Sequence, residues 1–266
     1  MDLSVNGPKV YLQLPFDLPD GMVTLKNIVT QTTITLLAVT LLLIGFSLFT
    51  SKRITKRPGR LQVVVEKLVS MLYGLVEDTM GKHNSKFAPY IGTLFLSSIF
   101  GTLLGMTQIF RSATADLSVT AAWALVTTGM VWYNNIKNFG FGAWLKGFTE
   151  PIVVMTPMNV VSEIANPVSM AFRHFGNVAG GSVLTALIYS ALGLLSNAVF
   201  GWLPDFIATI PFFQVGIPAF LSVYFDLFSG FVQALVFSLL TMVYVGGACP
   251  PPEELPEKKR KKKTEA

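Results

Sequence analysis

Cysteine and charge are what this sequence has least of. One cysteine, Cys249, stands among 266 residues, so neither a disulfide framework nor a thiolate metal site is available. Cys249 itself reads as a small apolar residue near a helix end. Charged residues make up only 13% of the chain. A glycine-rich loop ending in Lys-Ser/Thr is missing, so the chain is expected to bind no nucleotide and not to be an enzyme by itself. No cofactor or metal and no nucleic-acid partner is expected. Residues 1–24 contain Pro8, Pro15, Asp17, Pro19 and Asp20. They lack the basic start and apolar core of a cleavable signal, so the first apolar run is expected to act as its own insertion signal. The two halves show no internal repeat.

What the chain has instead is apolar length. Hydrophobic residues are 52% of it, 21 of them phenylalanine. About 20 apolar residues span a bilayer core. Asn27 to Ser51, Ala88 to Phe110 and Leu117 to Ile136 carry no charge. Ile164 to Pro204 carries only Arg173, and Phe206 to Pro252 carries only Asp226. The fold class is therefore an all-α integral membrane protein with about five transmembrane helices and one amphipathic interfacial helix. Each of the last two runs has room for a hairpin. Gly193 to Trp202 is the one turn-like composition inside them, so long, tilted helices are expected.

The basic residues set the orientation. Sixteen of the 20 lysines and arginines fall in residues 52–86, at Lys137 and Lys146, and in the final Lys258 to Lys263 run. Lys9, Lys26 and Arg111 are on the opposite side. By the positive-inside rule the N-terminus is outside and the C-terminus cytoplasmic, which fits five crossings. The layout is an extracytoplasmic segment (1–26), a first transmembrane helix (27–51), a cytoplasmic basic and amphipathic segment (52–87), a four-helix domain (88–249) and a basic, disordered tail (250–266). Within the amphipathic segment, Leu61, Val65, Leu68, Leu72 and Leu75 share one face, while Gln62, Glu66, Lys67, Ser70, Glu77 and Asp78 fall elsewhere. The headgroup plane and a partner subunit fit that face equally. The tail reads first as a solvated stretch, and its bases also suit anionic lipid.

Arg173 carries the chemistry. An arginine at mid-membrane costs about 2.5–3.5 kcal/mol on insertion scales, so it is kept where it faces protein or water and has an ionic partner. Helical spacing places Asn166, Ser169, Arg173, Asn177 and Gly180 on one polar or small stripe. A packing seam with a snorkelling arginine is the bland alternative, and the depth of Arg173 in its run counts against it. In the last run Asp226, Gly230, Gln233 and Phe237 share a face by the same spacing. Asp226 can load and release a proton, or it can form a structural ion pair with Arg173. Gln233 can hold a guanidinium without neutralising it. His174 reads as a packed residue and His83 as a loop residue.

These residues resemble a family. Pro157-x-Asn159, Pro167-x-Ser169, Arg173-x-Phe175-Gly176-Asn177 and Gly180 look like the signature of subunit a of the rotary F-type ATP synthase. Thr114-Ala115-Asp116-Leu117-Ser118-Val119-Thr120 resembles the loop after that family's second crossing. Gln233-Ala234-Leu235-Val236-Phe237, followed by Thr241 and Tyr244, resembles its last helix. The likeness spans about Phe87 to Val245. It implies a stator subunit in a bacterial inner membrane, partnered by the rotor ring of c subunits, the peripheral-stalk b subunits, the rest of the synthase and the lipid bilayer. Two half-channels would pass protons (or sodium) to and from the ring carboxylates, coupling the ion gradient to ATP synthesis. The resemblance implies Arg173 between them. It puts Asn177, Ser182, Asp226, Gln233 and Asp116 on the outer side and Glu163 toward the cytoplasm. Asn166, Ser169, Gly176 and Gly180 would face the ring. The sequence departs from the family at Ser182, where an ionisable residue is common, and at His174, where an apolar one is usual. Asp226 as the lone acidic group of its run leans toward protons. The alternative is a stand-alone secondary ion or anion transporter, against which the missing repeat argues.

Overall fold

The computed structural model describes residues 10–13, 27–56, 58–107, 110, 112–150, 152–200, 223–251 and 253. The expectations for Lys9, Lys26, Arg111 and the basic tail lie outside these residues. One short antiparallel pair, β1 (Val10–Gln13) and β2 (Asn27–Thr30), precedes the helices, with Val10 opposite Thr30. The first long helix, α1 (Gln31–Ser51), consequently starts four residues later than the uncharged run does. Thr30 sets that start. Its hydroxyl accepts the Thr33 backbone N–H at 3.3 Å, capping an otherwise orphaned donor.

Six helices follow: α2 (Arg60–Met80), α3 (Ala88–Met106), α4 (Leu117–Phe139), the short α5 (Phe141–Gly147), α6 (Thr156–Phe200) and α7 (Gly230–Gly247). A π-helical segment, Val223–Ser229, leads into α7. Among the described residues, four stretches are long and apolar enough to cross a membrane: Gln31–Ser51, Lys82–Met106, Val153–Ser196 and Leu227–Gly247. The expected fifth crossing, α4, has the length at 23 residues. Its Thr127, Thr128, Asn134, Asn135, Lys137 and Asn138 make it less apolar. Helix α6 runs unbroken through Gly193, so no hairpin forms in its 45 residues. At 1.5 Å per residue it is about 68 Å long, over twice a bilayer core, and such a helix fits only when strongly inclined.

The chain divides into two compact units. One takes residues 1–40, 98–116 and 174–234; the other takes 41–97, 117–173 and 235–266. In the second unit Val76 and Met80 of α2, Ala88 and Ile91 of α3, and Met242 and Val245 of α7 form one buried cluster. Leu94, Ala124, Met170, Ala171 and Phe237 form another, with Trp123 edge-on to Phe237 at 6.4 Å. The second cluster takes in Met170 and Ala171 of α6.

Helix α2 departs from its expected pattern. Leu72 and Leu75 pack inward beside Val76 and Met80, whereas Leu61 and Leu68 are exposed. Its apolar face thus divides along the helix rather than lying in one plane. Gln62, expected on the polar side, is buried. Its amide donates to Thr55 O and accepts the Thr55 N–H, tying down the turn before α2.

Side chains close the end of α7. Asn84 donates to the Cys249 carbonyl at 2.8 Å and to Met80 O at 2.9 Å, and Asn138 donates to Ala248 O at 2.9 Å. Orphaned carbonyls at a helix C-terminus need such donors. The His83 ring nitrogen also lies 2.8 Å from the Cys249 carbonyl, which gives that loop residue a structural part. Asn84→Ala is expected to destabilise the subunit by roughly 1–3 kcal/mol. Thermal denaturation of the purified complex, followed by dissociation of this chain, measures it.

Candidate functional site

Helix α6 is two-sided around its arginine. Met170, Ala171 and His174 are buried, while Asn166, Ser169, Arg173, Gly176 and Gly180 are exposed. Residues at this spacing follow one stripe of an α-helix. Arg173 makes no hydrogen bond or ion pair with any described residue. Phe172 and Val168 beside it are exposed too. The guanidinium lies on an exposed face between polar or small residues and apolar ones, and no described group of the chain neutralises it.

His174 points the other way. It is 1% exposed, and its Nε2 lies 3.0 Å from the Ser98 hydroxyl of α3. A polar group buried in a helical interior is kept where it is hydrogen-bonded.

Asn177 is half-buried and leaves the exposed stripe. It accepts the Ser229 hydroxyl at 2.8 Å and donates to the Ser229 carbonyl at 3.4 Å. That exchange fastens α6 to the last residue of the π segment containing Asp226. Hydrogen bonds in such a segment run from i to i+5. The 3.6-residue count of an α-helix therefore does not run through this segment into α7. The side chains of Asp226 and Ser182 lie outside the described residues. Gln233 is 6% exposed, and its Nε2 has no acceptor among them. Gly230 is held to glycine by packing, since a Cβ there would come within 2.7 Å of Thr102 Cγ2. Asp116 accepts the Thr32 hydroxyl at 3.0 Å, just ahead of α4.

Glu163 lies at the meeting point of three cavities. The largest, about 710 Å3, is also lined by Asn135, Lys146, Glu150 and Asn159. A second, of about 320 Å3, is apolar and lies against Trp132 and Trp144. The third, only about 70 Å3, runs on to Asn166, Pro167 and Met170 and touches Thr127 and Tyr244. Pro167 has a part in that opening. It has no N–H to give the carbonyl four residues earlier, which is that of Glu163, and its ring crowds the same carbonyl. The Glu163 carboxylate accepts the Trp132 indole N–H. Asn159 donates to the carbonyls of Phe148 and Glu150, holding the turn after α5 against α6.

The sequence profile described as ATP synthase A chain matches residues 32–246. The chain is 32% identical to ATP synthase subunit a, sodium ion specific, from Propionigenium modestum, covering 92% of this chain and 86% of the relative. It is 35% identical to ATP synthase subunit a of Desulforamulus reducens, over 74% and 70% of the two chains. For ATP synthase subunit a 1 of Crocosphaera subtropica the figures are 33%, 79% and 82%.

The chain belongs to the ATP synthase A chain family. It is a membrane-sector subunit whose work belongs to ATP synthesis and ion transport, with the rest of the synthase as its partner. Helical spacing alone brought out the exposed arginine face of α6. It did not bring out Trp132, Ser98 or Ser229. They lie 31, 76 and 52 residues from the groups they bond. An indole in the last turns of a polar-ended helix was the one local hint of Trp132.

Proposed function

We propose that this subunit is the stator of the ion path. Arg173, neutralised by no described residue, is the observation that carries the reading. A cation on an exposed helix face with no counter-charge among the described residues suits one supplied from outside the chain, and the mid-membrane carboxylates of a c-subunit ring would supply it as each passes. The small residues Ser169, Gly176 and Gly180 allow a ring helix to approach closely. Arg173 favours the ionised form of that carboxylate and bars direct flow between two half-channels. Asp116, Asn177, Ser182, Asp226 and Gln233 line the inlet from outside. Glu163 receives ions on the cytoplasmic side, a role favoured by the three cavities it lines. The N-terminus is outside, the C-terminus is cytoplasmic, and b subunits of the peripheral stalk complete the stator. Catalysis stays in the head of the synthase.

The carried ion is a proton if Asp226 relays it. The name of the Propionigenium modestum relative favours sodium as the second reading. ATP-driven pumping by the whole complex in vesicles, read with a pH dye and with radioactive sodium, separates them. Acidification that persists without sodium marks the proton. Sodium uptake unaffected by an uncoupler marks sodium. Neither signal in an assembled, ATP-hydrolysing complex overturns the stator reading.

A further inference from the structure

We propose that Trp132 is a positioning residue for ion transfer, its indole N–H holding the Glu163 carboxylate at the junction of the three cavities. This rests on the reading of Glu163 as the cytoplasmic outlet. A carboxylate on a helix surface beside open space has several rotamers of similar energy. One fixed donor selects among them. The indole is a donor only, so its N–H has a single use, and a bond to a charged acceptor is stronger than a neutral one.

The donor itself belongs to an aromatic group. Trp132 meets Trp144 edge-on with ring centres 6.3 Å apart. Trp144 is held in turn by Phe148 at 5.1 Å and Phe141 at 5.8 Å. Asn159 then pins the Phe148 and Glu150 carbonyls to α6. The aromatic group, the turn and the Glu163 helix are thereby fixed together at that end. Lys146 and Glu150 face Glu163 across the large cavity, and Tyr244 of α7 faces it in the small one. None of these hydrogen-bonds to the carboxylate, and Trp132 does. Aromatic belts anchor many membrane proteins at the interface, which is the purely structural alternative for this tryptophan.

The test uses the whole complex in vesicles, with the ion concentration varied on the side facing the catalytic head. Trp132→Phe keeps a ring and removes the donor. ATP-driven pumping is expected to fall about tenfold at limiting ion, the scale of one hydrogen bond to a charged group, while the rate at saturating ion stays within about twofold. Trp132→His restores an N–H and is expected to recover at least half of the limiting-ion rate. In a Glu163→Gln background Trp132→Phe is expected to add no further loss, because residues acting as a unit are not additive. An unchanged limiting-ion rate overturns the proposal. So does an equal fall at both ion concentrations, which an interfacial anchor would give, or a histidine variant as slow as phenylalanine. If Glu163→Gln alone pumps normally, the outlet reading itself fails. If Glu163→Gln is impaired while Trp132→Phe is not, only the role of Trp132 fails.

Discussion

Arg173→Ala is expected to lower ATP-driven ion pumping at least about a hundredfold while the assembled complex still hydrolyses ATP. The magnitude follows from the environment of the guanidinium. Breaking a desolvated ion pair by removing one partner costs about 3–5 kcal/mol, and each 1.4 kcal/mol is a factor of ten in rate or equilibrium. In the proposed stator role the partner is the passing carboxylate. Without Arg173 that carboxylate faces an apolar surface, keeps its ion bound and no longer marks the boundary between the two half-channels. Arg173→Lys tests whether charge alone suffices. An ammonium is a compact point charge without the planar fork of arginine, so pumping is expected to stay well below the unmodified level. Normal pumping by Arg173→Ala would make the arginine a structural residue.

The arginine face was legible because α6 is a plain α-helix over that stretch, and Asn166, Ser169, Arg173 and Gly180 follow its period. Four of the five expected crossings were legible for the same reason, since apolar length is a local property. Three features were not local. The π segment before α7 breaks the 3.6-residue count, which a spacing rule drawn from a plain α-helix does not foresee. Asn177 left the stripe to exchange hydrogen bonds with Ser229, a partner that no spacing rule names. Helix α2 shows the limit of reading amphipathicity alone: its period was correct, but the inward face changes along its length. Tertiary packing decides which apolar residues are covered. Leu72 lies close over Gly92, where an added Cβ would come within 2.6 Å of it, whereas Leu61 is left exposed.

Glu163→Gln is expected to slow pumping about 30-fold, which corresponds to roughly 2 kcal/mol, the range of a hydrogen bond to a charged group. The amide keeps the size and an acceptor oxygen, so the Trp132 N–H still has a partner and the aromatic platform should stand. What is lost is the ability to take up an ion. That distinction matters because Glu163 lies on the same helix as Arg173, ten residues away, or about 15 Å at 1.5 Å per residue. A defect transmitted through α6 would also disturb the arginine and lower pumping at every ion concentration. Loss of an ion-binding step is different. It is relieved, at least in part, when the concentration on the head-facing side is raised, since other cavity groups then carry the ion past the empty step. Partial recovery at high ion places the carboxylate in the path. A fixed deficit at all concentrations assigns Glu163 to the support of the helix, and the three cavities it lines would then have no part in the ion path.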